Sequence, residues 1–112
     1  MAIKELQTID EISDFFEVFI FDIWGTIYDG QALFEGVKNI LQRLRQKGKC
    51  IIFLSNSPQI ENVVYERLSA LGIDSGLFDE IVTSGGEAKR QLSASCQSKK
   101  KQFKGPVYLT GP

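Results

Sequence analysis

Two uninterrupted apolar runs constrain the fold of this chain more than any other feature of its sequence. They are Val18–Phe21 and Cys50–Leu54, and neither alternates with polar residues. Such runs are typical of parallel strands covered on both faces, because a strand with one solvated face alternates between apolar and polar positions. A shorter run, Ile81–Thr83, and a later one, Val107–Thr110, predict two further strands.

Segments with helical spacing lie before and between these runs. Thr8 and Glu11 have the spacing of a capping box, and they predict an amphipathic N-terminal helix. Its apolar side would consist of Ile9, Ile12, Phe15 and Phe16. A second helix is predicted to end at Lys47-Gly48, a basic last turn followed by glycine. Its apolar positions are Val37, Ile40, Leu41 and Leu44.

A third helix is predicted directly after the second run. Ser57 is suited to cap it, and Pro58 to occupy its first helical position. It would carry three apolar residues and end at Gly72; these residues are Val64, Leu68 and Leu71. Gly85-Gly86 opens a further helical stretch.

This alternation of strands and helices predicts an α/β fold, a Rossmann-like core whose parallel sheet has helices on both sides. Ligands of such sheets bind beyond the carboxyl ends of the strands. Asp22 and Ser55 are predicted to lie there, each at the end of an apolar run. The run at Val107–Thr110 has no helix after it, so we interpret the chain as the front part of a longer architecture that lacks the C-terminal strands.

Composition argues against two classes of partner. The 14 acidic and 13 basic residues nearly cancel, so no overall field favours nucleic acid or a membrane surface. The basic residues after Glu87 can form a binding patch or, more commonly for such runs, a solvated helix end or linker. Cys50 and Cys96 lie far apart and the chain has no histidine, which indicates reduced thiols and a cytoplasmic protein. We expect neither a signal peptide nor a membrane span.

The residues at the end of the first run carry the chemistry. The segment Phe19–Gly30 resembles motif I of the haloacid dehalogenase superfamily, an apolar strand followed by Asp-x-Asp-Gly-Thr/Val. The resemblance implies that Asp22 is the catalytic nucleophile, and a carboxylate can form the acyl-phosphate intermediate. Gly25 lets the chain turn sharply, and the backbone N–H groups of Gly25 and Thr26 are suited to a phosphate.

The end of the second run resembles motif II of the same superfamily, an apolar strand that ends in Ser or Thr. The resemblance implies that the Ser55 hydroxyl binds phosphoryl oxygens and that Asn56 adds a side-chain donor. The N-terminus of the following helix would favour an anion there. By itself this Ser-Asn pair would be read as a helix cap; the specific signal is that both motifs occur in order at the ends of strands.

The resemblance extends to class IIA of the superfamily, which includes phosphatases of N-acetylglucosamine-6-phosphate and nitrophenyl phosphate. In that class a large cap follows motif II, and Gly105–Gly111 resembles its opening strand. The chain is accordingly divided into an N-terminal helix at 1–17, a partial core at 18–86, and a helix, basic linker and start of the cap at 87–112.

Trp24 departs from the family pattern, because it stands where the second motif I Asp acts as general acid and base. Indole cannot shuttle a proton, and general acid-base catalysis contributes about 10² to 10⁴ in rate. Trp24 either fills space in the loop or stacks on a substrate ring. The family's magnesium site uses the backbone carbonyl at this position, so the resemblance implies Mg²⁺ held by Asp22 and by the Trp24 carbonyl.

Other parts of the family's site are expected beyond the end of this sequence. They are a lysine that neutralises the phosphoryl group and further acidic ligands of magnesium. We therefore expect a hydrolase of the phosphatase type that acts on a small phosphorylated metabolite and is weak or inactive alone, with a complementing C-terminal chain as a potential partner. The alternative is a non-catalytic module that binds phosphate or another protein.

Overall fold

The computed structural model describes residues 5, 7–97, 106, 108 and 110. Within them the elements follow the order helix, strand, helix, strand, helix, strand, helix. They are α1 Asp10–Ser13, β1 Val18–Asp22, α2 Val37–Gln46, β2 Cys50–Ser55, α3 Glu61–Ala70, β3 Glu80–Thr83 and α4 Ser84–Gln97, with a 3-10 turn at Ser75–Leu77. Residues 107 and 109 of the predicted strand Val107–Thr110 lie outside the described residues, as do the lysines at 99–101 and 104.

The three described strands form one parallel sheet in the order β1-β2-β3. Asp22 is paired in register with Leu54, and Ser55 with Thr83, so the carboxyl ends of all three strands meet at one edge. This arrangement confirms the α/β fold and the parallel sheet predicted from the apolar runs. It also brings the segments that follow β1, β2 and β3 to the same side of the molecule.

The core lies between α2, α3 and one face of the sheet. Odd-numbered strand residues point into it, and Ile51 and Phe53 are completely buried. Phe53 stacks at an angle on Phe78, with ring centroids 5.2 Å apart. Leu41 and Leu44 of α2 are each 1% exposed, as the helical spacing predicted. Gly48 has a φ of 73° just past this helix, the left-handed conformation expected of a glycine there.

The other face of the sheet is open among the described residues. Val18, Ile20 and Leu54 are 48%, 61% and 50% exposed. The prediction that β1 and β2 are covered on both faces is therefore wrong for this part of the chain. The physical reason is that both helices that contribute to the core, α2 and α3, pack on the face formed by Phe19, Ile51 and Phe53.

The N-terminal helix is shorter than predicted and has no capping box. α1 spans four residues, its N-cap is Ile9, and no side chain caps it. Phe15 and Phe16 lie beyond its end and are 78% and 53% exposed instead of facing the core. The segment is held instead by a polar contact at the end of α2, where the buried Ser13 hydroxyl accepts a hydrogen bond of 2.6 Å from Nζ of Lys47, the residue that follows the helix.

Replacing Phe53 by Ala should lower the free energy of unfolding by about 3 to 5 kcal/mol, because it leaves a cavity at the centre of the core. The matched control is Phe15→Ala at an exposed site, which should change that energy by less than about 0.5 kcal/mol. Urea unfolding followed by circular dichroism measures both. Equal effects of the two substitutions would contradict the burial of Phe53.

Asp79 joins the amino ends of β2 and β3. Its Oδ2 accepts hydrogen bonds from the Ile51 backbone N–H at 2.8 Å and from Arg45 Nη1 at 2.7 Å. The Ile51 N–H and, next, the Arg45 side chain lower the pKa of Asp79 from its ordinary value of 3.8. A lowered pKa means that the folded state favours the ionised carboxylate.

This ion pair predicts a loss of stability in acid. Since the folded pKa of Asp79 lies below the unfolded one, its contribution is complete well above pH 3.8 and disappears as pH falls through the folded pKa. Asp79→Asn should therefore destabilise the protein at neutral pH and reduce the acid dependence of its urea midpoint. The exposed Glu66→Gln serves as control. A variant whose midpoint falls with acid as steeply as that of the wild type would contradict this role for Asp79.

None of the helices in the described part of the chain has the length and apolar character needed to cross a bilayer.

Candidate active site

Asp22 lies at the edge where the carboxyl ends of the strands meet. An open cavity of about 540 Å³ borders this edge, and it is lined by Ile20, Asp22, Leu54, Ser55, Asn56 and Ser84. Three of the residues chosen from the sequence are thus brought together there: Asp22, Ser55 and Asn56. Asp22 and Asn56 are exposed, whereas Ser55 is half-buried. The cavity therefore combines a carboxylate that solvent can reach with hydroxyl and amide groups.

Ser84 is a further polar residue of this cavity that sequence reasoning did not select. It is exposed and directly follows β3, as Asn56 directly follows β2. The signal was present in the sequence, because a hydroxyl residue after the short apolar run Ile81–Thr83 repeats the pattern seen at Ser55.

Gly25 and Thr26 lie outside the lining of the Asp22 cavity. Their backbone N–H groups bond within their own turn: Gly25 donates to the Tyr28 carbonyl at 2.9 Å, and Thr26 to the Ile23 carbonyl at 3.2 Å. The φ of 80° at Gly25 is the left-handed conformation that such a sharp turn requires. The predicted turn is therefore present. Phosphate binding by Gly25 and Thr26 stays a prediction, and it would require these N–H groups to exchange partners.

Trp24 is 64% exposed, and its indole lies against Gly30. A Cβ placed on Gly30 would be 3.5 Å from the indole carbon Cζ2. The turn that presents Gly30 is held by Asp29, whose Oδ1 accepts hydrogen bonds from the N–H groups of Gln31 and Ala32. These bonds, that from Ala32 first, lower the pKa of Asp29. Packing and substrate stacking both stay open for Trp24, since part of the ring contacts Gly30 and most of it is exposed.

A second, smaller cavity of about 80 Å³ lies between the motif I loop and α3. Trp24 and Tyr28 line it from one side, and Ser55, Ser57 and Arg67 are among the residues that line it from the other. Arg67 Nη1 donates a hydrogen bond of 3.3 Å to the Tyr28 hydroxyl. Ser55 thus contributes to both cavities.

The loop after β2 differs from its predicted form. Ser57 does not cap α3, and Pro58 is not its first residue, because α3 begins at Glu61 after an extended Ile60 with no side-chain cap. Instead, Ser55 Oγ accepts from the Ser57 N–H and Ser57 Oγ accepts from the Gln59 N–H, each at 3.1 Å. The two hydroxyls therefore order a non-helical loop. The loop takes this form because its carbonyls contact Thr83 of β3 and Gly85 of α4.

The described residues offer too few ligands for a complete magnesium site. They contain no group of three His, Cys, Asp or Glu side chains placed to share an ion. Asp22 is the one carboxylate that lines the larger cavity. Mg²⁺ is commonly bound by one or two carboxylates together with waters and substrate phosphates. Asp22 and a backbone carbonyl fit part of such a set and do not complete it.

The parallel sheet with a carboxylate at the end of β1 and hydroxyl groups at the ends of β2 and β3 defines the class: an α/β protein with a polar cavity at the carboxyl edge of its sheet. Residues 19–112 match the family described as haloacid dehalogenase-like hydrolase. The chain belongs to this family.

Individual relatives agree with this assignment. The chain is 34% identical to the chloroplastic phosphoglycolate phosphatase 1A of Arabidopsis thaliana over 99% of its own length and 30% of that protein. It is 33% identical to the sugar-phosphatase AraL of Bacillus subtilis over 58% of its length and 24% of that protein. A crystal structure of a haloacid dehalogenase-like hydrolase from Brucella suis 1330 superposes on 80% of the chain with a TM-score of 0.72 and 32% identity.

The chain spans about a third or less of the length of these proteins: 30% of the Arabidopsis phosphatase and 33% of the Brucella chain.

Proposed function

We propose that this chain supplies the nucleophile and part of the phosphate site of a phosphatase that works through an aspartyl-phosphate intermediate. The observation that supports the proposal is the meeting of Asp22, Ser55 and Asn56 in one cavity at the carboxyl edge of the sheet. Hydroxyl and amide donors suit the oxygens of a phosphoryl group, and the carboxylate suits attack on its phosphorus.

The proposed reaction has two steps. An oxygen of Asp22 forms a bond to phosphorus while the bond from phosphorus to the ester oxygen of the substrate breaks, and the alcohol product leaves after it takes a proton from water. Water then attacks the acyl phosphate, which releases inorganic phosphate and restores the carboxylate. Trp24 cannot donate the proton in the first step or accept one in the second, so both steps lack side-chain acid-base help at this position.

Two further components of the proposal come from outside the described residues. Mg²⁺, when bound, would screen the carboxylate from the anionic substrate. Asp22 and the Trp24 carbonyl would provide part of its ligands, and a complementing polypeptide the rest. The open sheet face at Val18, Ile20 and Leu54 supports such a complement, since parallel sheets are usually covered on both faces.

The proposed substrate is a small phosphorylated metabolite. The names of the relatives support this class, because they include phosphoglycolate phosphatases and a sugar-phosphatase. We also propose membership of class IIA, with the core at 18–86 and the helix, linker and start of the cap at 87–112. A cytoplasmic location is supported by the free thiol of Cys50.

A second candidate function is a non-catalytic module that binds phosphate or another protein. The observation that favours it is Trp24, an exposed apolar ring at the acid-base position. This alternative predicts phosphate binding without turnover.

A chimera tests the two functions. The chain replaces the matching third of the Brucella suis hydrolase, which then supplies the remaining parts of the core. Phosphate release from an aryl phosphate is measured with magnesium and with EDTA, beside the intact hydrolase. Turnover that depends on magnesium supports the phosphatase. A folded chimera that binds inorganic phosphate but releases none supports the non-catalytic module.

A further inference from the structure

The loop after β2 is tied to β3 by a buried hydroxyl. Thr83 is completely buried, and its Oγ1 donates a hydrogen bond of 2.6 Å to the Gln59 carbonyl while it accepts one of 2.9 Å from the Gly86 N–H. A threonine hydroxyl has one proton to donate and lone pairs to accept with. A single side chain therefore connects the loop to the first turn of α4.

Glu61 reinforces the connection from the start of α3. Its Oε1 accepts a hydrogen bond of 3.2 Å from the Thr83 backbone N–H. The pKa of Glu61 is lowered from its ordinary value. The largest cause is its own backbone N–H, and the next is the hydrogen bond from the N–H of Thr83. The carboxylate of Glu61, at the start of α3, thus binds the end of β3.

In the first turn of α4, Gly85 lies too close to the backbone of the loop for a side chain, and Gly86 lies against the carboxylate of Glu61. A Cβ on Gly85 would lie 1.8 Å from the Pro58 carbonyl oxygen, and one on Gly86 would lie 2.0 Å from both carboxylate oxygens of Glu61. The Gly85 N–H also donates to the Ser57 carbonyl at 3.0 Å. Neither glycine has a positive φ, so close approach, not backbone conformation, explains them.

These contacts hold three consecutive carbonyls of the loop, those of Ser57, Pro58 and Gln59, against β3 and α4. The residues just before them, Ser55 and Asn56, line the Asp22 cavity together with Ser84. Ser84 lies between Thr83 and Gly85, the two residues that hold the loop. The same contacts therefore set the spacing between the two polar walls of the cavity.

We propose that Thr83, Gly85 and Glu61 are positioning residues that hold the 55–59 loop in its phosphate-binding form. This inference rests on the proposed function, since it presumes that Ser55 and Asn56 bind phosphate. It adds that their geometry depends on residues that do not themselves line the cavity. Pre-organised donors bind an anion better than donors that must first be ordered.

The test is a titration of the isotope-labelled full chain with inorganic phosphate, followed by the amide signals of Asn56 and Ser57. Thr83→Val removes the hydroxyl at nearly constant volume and should weaken phosphate binding about tenfold, whereas Thr83→Ser should restore it to within about twofold. Gly85→Ala should weaken phosphate binding about as much as Thr83→Val, because the added Cβ displaces the Pro58 carbonyl. This loss is expected even though alanine favours helix formation more than glycine does. Hydrogen exchange of the Ser57 and Gln59 amides in the same samples reports the order of the loop.

Ile81→Val is the matched control, because it trims a buried residue of the same strand whose side chain makes none of these hydrogen bonds. It should lower stability and leave phosphate affinity unchanged. If the wild type binds phosphate and both Thr83→Val and Gly85→Ala bind it equally well, the positioning role is wrong and the proposed phosphate site stands. If phosphate leaves the amide signals of the wild type unmoved, the proposed site itself is wrong, and the positioning role is overturned with it.

Discussion

Replacing Asp22 by Asn should lower phosphate release from an aryl phosphate by the chimera at least about 10³-fold, down to the level seen in EDTA. An amide is isosteric with a carboxylate but is a poor nucleophile towards phosphorus. Asp22 is exposed at the end of β1, so the substitution leaves the core unchanged and a loss of turnover reports chemistry. Initial rates with magnesium measure the effect.

Asp29→Asn is the matched control for this prediction. Asp29 is another exposed carboxylate of motif I, but it accepts hydrogen bonds from the N–H groups of Gln31 and Ala32 at 2.8 and 2.9 Å, and an amide oxygen can still accept them. We expect its variant to retain most of the turnover. A chimera that remains active with Asn at 22 would show that another group attacks the phosphorus.

Local patterns in the sequence were sufficient to predict the parallel sheet and the position of Asp22 at its carboxyl edge. The runs that became β1 and β2 are apolar throughout, and the spacing of Leu41 and Leu44 matches the buried side of α2. The carboxyl ends of parallel strands must meet at one edge, so Asp22 and Ser55 could be placed together without coordinates.

The start of α3 could not be predicted in the same way, because its cause is not local. Ser57 and Pro58 are a good helix start by their own chemistry. Their conformation is decided instead by Thr83, which is 24 residues away from its partner Gln59, and by the close approach of Gly85 to the Pro58 carbonyl. Tertiary contacts of this kind override the local propensity to start a helix. No residue near Ser57 in the sequence indicates them.

The role of Ser84 was missed for a related reason. The apolar run before it, Ile81–Thr83, is short, and its pattern predicted a strand without indicating that the next residue belongs to the site. The pairing of Ser55 with Thr83 places it at the shared edge. Trp24 is the reverse case. Its departure from the motif I pattern was visible in the sequence, whereas its packing on Gly30 could be seen only in the structure.

Replacing Trp24 by Asp should raise turnover of the chimera by about 10² to 10⁴, because it returns a general acid and base to the position where the resemblance expects one. The indole is 64% exposed and contacts Gly30, so a smaller side chain is accommodated without opening the core. The gain should appear in the rate for substrates with poor leaving groups, which need a proton most. Initial rates for alkyl and aryl phosphates measure it.

Trp24→Asn separates acid-base chemistry from the loss of the ring. It has nearly the size and polarity of Asp but cannot transfer a proton at neutral pH. If Asp at 24 accelerates alkyl phosphate hydrolysis far beyond Asn, the missing proton transfer limits the natural sequence, and the phosphatase chemistry around Asp22 is otherwise intact. If both substitutions give the same slow rate, the absence of an acid at this position is not what limits turnover, and the non-catalytic module becomes the better account of the chain.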